Sequence, residues 1–150
     1  MSEKLLRVGT TYLPVSSVNQ SAEWYVKKLG ATLNYIDDDK AIISLANQSF
    51  FLVASTKGET ANFVSSNGEK RFSMTFEVDG LRALKQLHAE LLENGVTTGE
   101  IEDRGHAGNN FVFQDLDGNL FDVWSELSPG YSAGLNDYSR CAGKKFPIID

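Results

Sequence analysis

The cleanest pattern in the chain lies between Arg71 and Val78 (RFSMTFEV), where apolar and polar residues alternate. Phe72, Met74, Phe76 and Val78 fall on one side, and Ser73, Thr75 and Glu77 on the other, the period-two signature of a half-buried strand. A second strong pattern spans Asn109 to Glu126. Phe111, Val112 and Phe113 mark a strand, and Asp115-Leu116-Asp117-Gly118-Asn119 is turn chemistry. The strand that follows places Leu120, Asp122, Trp124 and Glu126 on one face and Phe121, Val123 and Ser125 on the other. A carboxylate on such a strand is costly to bury unless it is paired, hydrogen-bonded or beside a wet cavity, so Asp122 points to a pocket.

Elsewhere the periodicity predicts a strand over 5–15 (LLRVGTTYLPV) and then a helix capped by Ser17, with Gln20 at the capping-box position. Val18, Ala22, Tyr25 and Leu29 share the inner face of this helix, and Gly30 stops it. Residues 32–37, 41–46 and 49–55 read as three short strands, with turns at Asp37-Asp38-Asp39-Lys40 and Asn47-Gln48. Residues 56–70 are polar and glycine-containing, a linker. A second helix covers about 80–93, with Leu81, Leu84, Leu87, His88 and Leu91 inward and Asn94-Gly95 at its end. Residues 96–102 form a weak strand, and 103–108 a glycine-containing loop carrying His106. The tail, 127–150, is broken by Pro129, Gly130, Gly134 and Gly143, yet it carries Tyr131, Leu135, Tyr138, Phe146, Ile148 and Ile149. It is expected to lie over the body of the protein or over a second subunit.

At 150 residues, 41% hydrophobic and 23% charged, the chain reads as one soluble globular domain, 1–150. A net charge of −6 disfavours nucleic acid, which needs a basic face. The absence of a long apolar span or signal-peptide pattern points to the cytoplasm and away from a membrane. The lone Cys141 forms no intramolecular disulfide, and with no nearby His it reads as a bystander thiol.

The order of elements repeats: strand, helix, three strands, twice, as a first module over 5–55 and a second over 71–126. Val15 before the first helix answers Val78 before the second at an offset of 63, and Gly30 answers Gly95 at 65. Each unit needs a partner to cover its small sheet. The expected fold is therefore α+β: two βαβββ modules forming a curved mixed sheet around a cleft, helices outside. Tyr12-Leu13-Pro14-Val15, Trp24-Tyr25, Leu29-Gly30, Phe76-Glu77-Val78-Asp79 and the segment GHAGNNFVFQDLDGN (105–119) together resemble the vicinal oxygen chelate superfamily. That superfamily includes glyoxalase I, extradiol dioxygenases and the bleomycin- and fosfomycin-resistance proteins. Leu116 stands where the family's Asp-Pro-Asp-Gly-Asn turn has Pro.

The resemblance implies metal-ligand positions on the first and last strand of each module: Thr10, about Phe51, Ser73 and Asp122. One carboxylate, two hydroxyls and a phenyl ring fall short of the imidazole and carboxylate donors such a site wants, so no metal and no cofactor is expected. His88, on a helix among leucines, reads as a core or boundary residue. His106 is either a residue at the cleft mouth or an exposed loop histidine. Asp115, Asp117 and Asn119 lack the glycine and distant Glu of an EF-hand loop.

The candidate ligand-binding residues are Thr10, Tyr12, Phe51, Ser73, Thr75, Glu77, His106, Asp122 and Trp124. Tyr12, Phe51 and Trp124 either fill the core or line a pocket for a flat or cationic small molecule, with Glu77 or Asp122 pairing an amine. Catalytic residues are not assigned. Two functions follow: a metal-independent small-molecule-binding protein of the bleomycin-resistance, drug-sequestering type, a homodimer; or a lyase, isomerase or dioxygenase of the same superfamily with atypical ligands. A protein-interaction module acting through the tail is a third class.

Overall fold

A computed structural model of the chain describes residues 3–131, and the tail residues 132–150 lie outside the described residues. The fold is α+β, and the described chain forms two compact units that divide between Thr60 and Ala61.

The first unit contains β1 (Thr10–Val15), α1 (Val18–Leu29), β2 (Thr32–Ile36), β3 (Lys40–Leu45) and β4 (Gln48–Ala54). Its sheet has the order β1-β4-β3-β2, with β1 parallel to β4 and the other pairs antiparallel. Helix α1 begins where expected: Ser17 Oγ accepts from the Gln20 amide at 3.3 Å. It ends at Gly30, whose φ of 75° is a left-handed conformation that costs glycine little. Val18, Ala22 and Tyr25 are buried, together with Leu13, Val15, Ala41, Ile43, Phe50 and Leu52 from one face of the sheet. The other face carries Thr10, Tyr12, Phe51 and Val53.

The second unit contains a short ribbon, β5 (Phe63–Val64) with β6 (Lys70–Arg71), then β7 (Thr75–Glu77), α2 (Leu81–Glu93), β8 (Asn110–Gln114) and β9 (Leu120–Trp124). Its sheet has the order β7-β9-β8, with β7 parallel to β9 and β8 antiparallel to it. Leu84, Leu91, Phe111, Phe113, Phe121 and Val123 form its core. His88 lies on the edge of that core: Nε2–H donates to the Gly99 carbonyl at 2.8 Å, and the ring meets Phe111 edge-on at 5.0 Å.

Four elements differ from the sequence expectation. Residues 5–9 are not a strand, and Leu5, Leu6 and Val8 are exposed, because β1 pairs with β4 only from Thr10 onward. Of the strand read over 71–78, Arg71 belongs to β6 and only Thr75–Glu77 form β7; Phe72 is half-buried and lies against Arg71 and Arg104. Residues 96–102 make only two isolated bridges, Thr98 to Phe113 and Glu102 to Asn110, rather than a continuous strand. The segment read as a linker carries the ribbon. Leu81, expected inward, sits at the first turn of α2 and is 42% exposed.

The turn from β8 to β9 is closed by its own side chains. Asp115 Oδ1 accepts from the Asp117 and Asn119 amides, both at 2.9 Å, and Asn119 Nδ2 donates to Asp115 Oδ2 at 2.8 Å. Asn119 Oδ1 accepts from the Ala61 amide, and Asn62 bonds to both Gly118 and Leu120. Turn and ribbon base are thereby tied together within the second unit.

Candidate functional site

The face of the second sheet turned away from α2 carries Thr75 and Glu77 from β7, Asp122 and Trp124 from β9, and Asn110 from β8. Thr75 lies opposite Asp122, and Glu77 opposite Trp124. In the first unit Tyr12 lies opposite Phe51. The offset of 63 that relates Val15 to Val78 carries Tyr12 onto Thr75, and the strand partner Phe51 then answers Asp122.

Asp122 is 2% exposed, so its charge needs compensation. Three groups supply it. Thr75 Oγ1 and Asn110 Nδ2 each donate to Oδ2 at 2.9 Å. Arg104 Nη2 lies 3.0 Å from Oδ1, an ion pair by distance, though without the alignment of a hydrogen bond. Asn110 Oδ1 is buried with no hydrogen bond among the described residues.

Arg104 is the residue that sequence reasoning missed. Its Nε donates to Glu102 Oε1 at 2.8 Å, and its Cζ lies 5.6 Å from the Phe72 ring centre. With the side chain 27% exposed, partial burial pulls its pKa down. The Glu102 hydrogen bond and the charge of Asp122 outweigh that pull and hold the group above its ordinary value. The one signal in the sequence was Asp122 itself, a carboxylate among apolar strand residues that demanded a cation.

The loop around His106 is fastened to β9. Trp124 Nε1 donates to the Ala107 carbonyl at 2.9 Å, and His106 Nδ1–H donates to the same carbonyl at 2.8 Å. The His106 ring stands edge-on to Trp124 at 6.1 Å. Asn109 N donates to Ser125 Oγ at 2.8 Å. Gly108 makes this approach possible. Its φ is +75°, and a Cβ there would meet Ser125 Oγ and Glu126 Cγ at 2.7 Å and Trp124 Nε1 at 2.8 Å.

The remaining candidates fall as follows. Glu77 is spent on the chain after β9: Oε1 accepts from the Ser128 amide at 2.9 Å, and Oε2 accepts from the Ser128 hydroxyl. Ser73 is exposed just before β7. In the first unit Tyr12 is 63% exposed and its ring lies 5.0 Å from Phe51, while Thr10 begins β1. The structure thus brings Thr75, Asp122, Trp124 and His106 onto one sheet face and its adjoining loop. It does not leave Asp122 or Glu77 as open carboxylates for an amine.

A metal of the kind implied by the resemblance does not fit these residues. No group of three or more His, Cys, Asp or Glu side chains among the described residues could hold an ion. The Asp122 oxygen that an ion would need already faces a guanidinium. No helix among the described residues is long and apolar enough to cross a membrane.

Comparison with solved structures shows the same fold at low identity. A fosfomycin resistance protein from Listeria monocytogenes is 12% identical, with a TM-score of 0.68 over 84% of this chain and 97% of that one. The same protein has been crystallised with manganese(II) and sulfate. A lactoylglutathione lyase from Agrobacterium tumefaciens is 12% identical, with a TM-score of 0.63 over 81% and 95% of the two chains. A glyoxalase/bleomycin resistance/dioxygenase domain from a Frankia species is 20% identical, with a TM-score of 0.65 over 83% and 100%. No curated protein matches by sequence. The model of one family matches residues 7–123, most of the chain, and the protein therefore belongs to the glyoxalase/bleomycin resistance protein/dioxygenase superfamily.

Proposed function

We propose that this protein binds a small molecule without a metal, in the manner of the drug-sequestering members of its superfamily. The observation that supports this reading is the state of Asp122. The carboxylate at the implied metal-ligand position is buried, accepts from Thr75 and Asn110, and is paired with Arg104. A divalent cation would have to displace a guanidinium, and the other implied position of the same unit, Ser73, would offer it only a hydroxyl. The ligand surface is the sheet face of β7, β9 and β8 with the loop of Arg104 and His106. It presents Trp124, Phe72 and hydroxyls rather than ion ligands.

Titration calorimetry with manganese(II), zinc(II) and nickel(II) on chelator-treated protein tests the reading. It expects no stoichiometric binding. Binding of one equivalent that disappears in Asp122→Asn contradicts it and favours a metal-dependent lyase, isomerase or dioxygenase.

A further inference from the structure

Two guanidinium groups converge on a single aromatic ring. Arg71 Cζ lies 5.2 Å and Arg104 Cζ 5.6 Å from the centre of Phe72. Each contact is favourable, because the ring face is negative, but two like charges drawn to one ring also repel. The two cations are not equivalent. Arg104 is matched by Glu102 and Asp122. Arg71 has no carboxylate partner among the described residues, in a chain whose net charge is −6. An unmatched cation beside a second guanidinium makes a place where a negative group is favoured.

Arg104 is also pre-oriented. Its Nε and Nη2 are committed to Glu102 and Asp122, which fixes the plane of the guanidinium, and Nη1 has no hydrogen bond among the described residues. The donors beside the ring are the Arg71 guanidinium and Arg104 Nη1. The Glu77 carboxylate is engaged by Ser128, and the charge of Asp122 is compensated by Thr75, Asn110 and Arg104.

We propose that Arg71, Phe72 and Arg104 form an oxyanion-binding site that receives the carboxylate or phosphate group of a planar small-molecule acid. This rests on the small-molecule reading above and gives the ligand a charge. Arg104 Nη1 donates to one oxygen and Arg71 to another, a charge-assisted pair stronger than neutral hydrogen bonds. Phe72 keeps both guanidinium groups in place and offers its ring edge to the apolar part of the ligand. The site thereby selects an acid over the corresponding amine, which would add a cation to two already present.

Calorimetry and thermal shift with benzoate, phenyl phosphate, benzamide and benzylamine test the site on the full chain. Benzoate or phenyl phosphate is expected to bind and raise Tm, with benzamide and benzylamine weaker. Arg71→Gln is expected to weaken the acid by about tenfold, the loss of one charged hydrogen bond. Arg104→Lys keeps a charge for Asp122 but loses the fork, and is expected to weaken the acid while still folding. Benzylamine or benzamide binding in preference to the acids, with no effect of Arg71→Gln, overturns the oxyanion site and leaves the small-molecule reading standing. Binding of none of the four at millimolar concentration overturns the oxyanion site too, whereas the metal titration alone decides the broader reading.

Discussion

At one step of the first sheet, Tyr12 faces Phe51 across the parallel pair β1 and β4, ring against ring at 5.0 Å. At the matching step of the second sheet, Thr75 faces Asp122 across the parallel pair β7 and β9, hydroxyl against carboxylate at 2.9 Å. Backbone pairing is the same in both, but the energetics are not. The aromatic pair is sustained by apolar contact and tolerates solvent. The carboxylate persists only because Thr75, Asn110 and Arg104 together replace the water it lost. One scaffold has thus been filled twice with opposite chemistry, and only the second filling buries a charge.

The two regions also handle their other acids differently. Asp37, in the turn from β2 to β3, is half-buried, and it accepts from Tyr35 Oη and Lys40 Nζ and from the amides of Asp39 and Lys40. The Tyr35 hydroxyl first, then those amides and Lys40, hold its carboxyl well below the usual range. Both acids are met by several donors and one cation, but only Asp122 is almost fully removed from water.

The largest effect should come from removing the buried acid. Asp122→Ala leaves the partly buried Arg104 with Glu102 as its one remaining carboxylate and leaves Thr75 and Asn110 without their acceptor, and is expected to cost about 3 kcal/mol in denaturant unfolding. Phe51→Ala, at the matched position but half-buried, is expected to cost about 2 kcal/mol. If Phe51→Ala proves the costlier change, the difference between the regions is packing rather than charge. Next comes Gly108→Ala. It places a Cβ at a positive φ and within 3 Å of Ser125, Glu126 and Trp124, and is expected to cost about 2 kcal/mol. Trp124 fluorescence should shift as the loop lifts from the ring; an unchanged spectrum and stability would mean the loop is not seated on β9.

The smallest effect belongs to Asp37. Its folded pKa lies below its ordinary 3.8, so it contributes stability that is present above that value and lost as pH falls beneath it. The difference in Tm between the wild type and Asp37→Asn should therefore be constant from pH 5 to pH 7 and shrink below about pH 4. A difference that grows on acidification contradicts the assignment.

Much of this architecture was legible from period and capping. Ser17, Gly30 and the alternation on β9 marked their elements because local propensity and tertiary packing agree there. The offset between Val15 and Val78 found the repeat that the strand registers follow. The site was half legible. Asp122 was flagged because buried charge is expensive, but its partner was not, since Arg104 sits in an aperiodic loop 18 residues away, where no pattern constrains it. Phe72 was only partly legible: its alternation is that of a core residue, yet it is half-buried and lies against two guanidinium groups. Glu77 looked like a pocket acid because sequence cannot show a carboxylate folding back on Ser128.

A double-mutant cycle on Arg104 and Asp122, using Arg104→Met, Asp122→Leu and the double variant, tests the pairing most directly. Each single change should be strongly destabilising and the double far less so, giving a coupling of about 2 kcal/mol or more. Single effects that simply add, within about 0.5 kcal/mol, would show that Asp122 does not depend on Arg104 and would contradict the account.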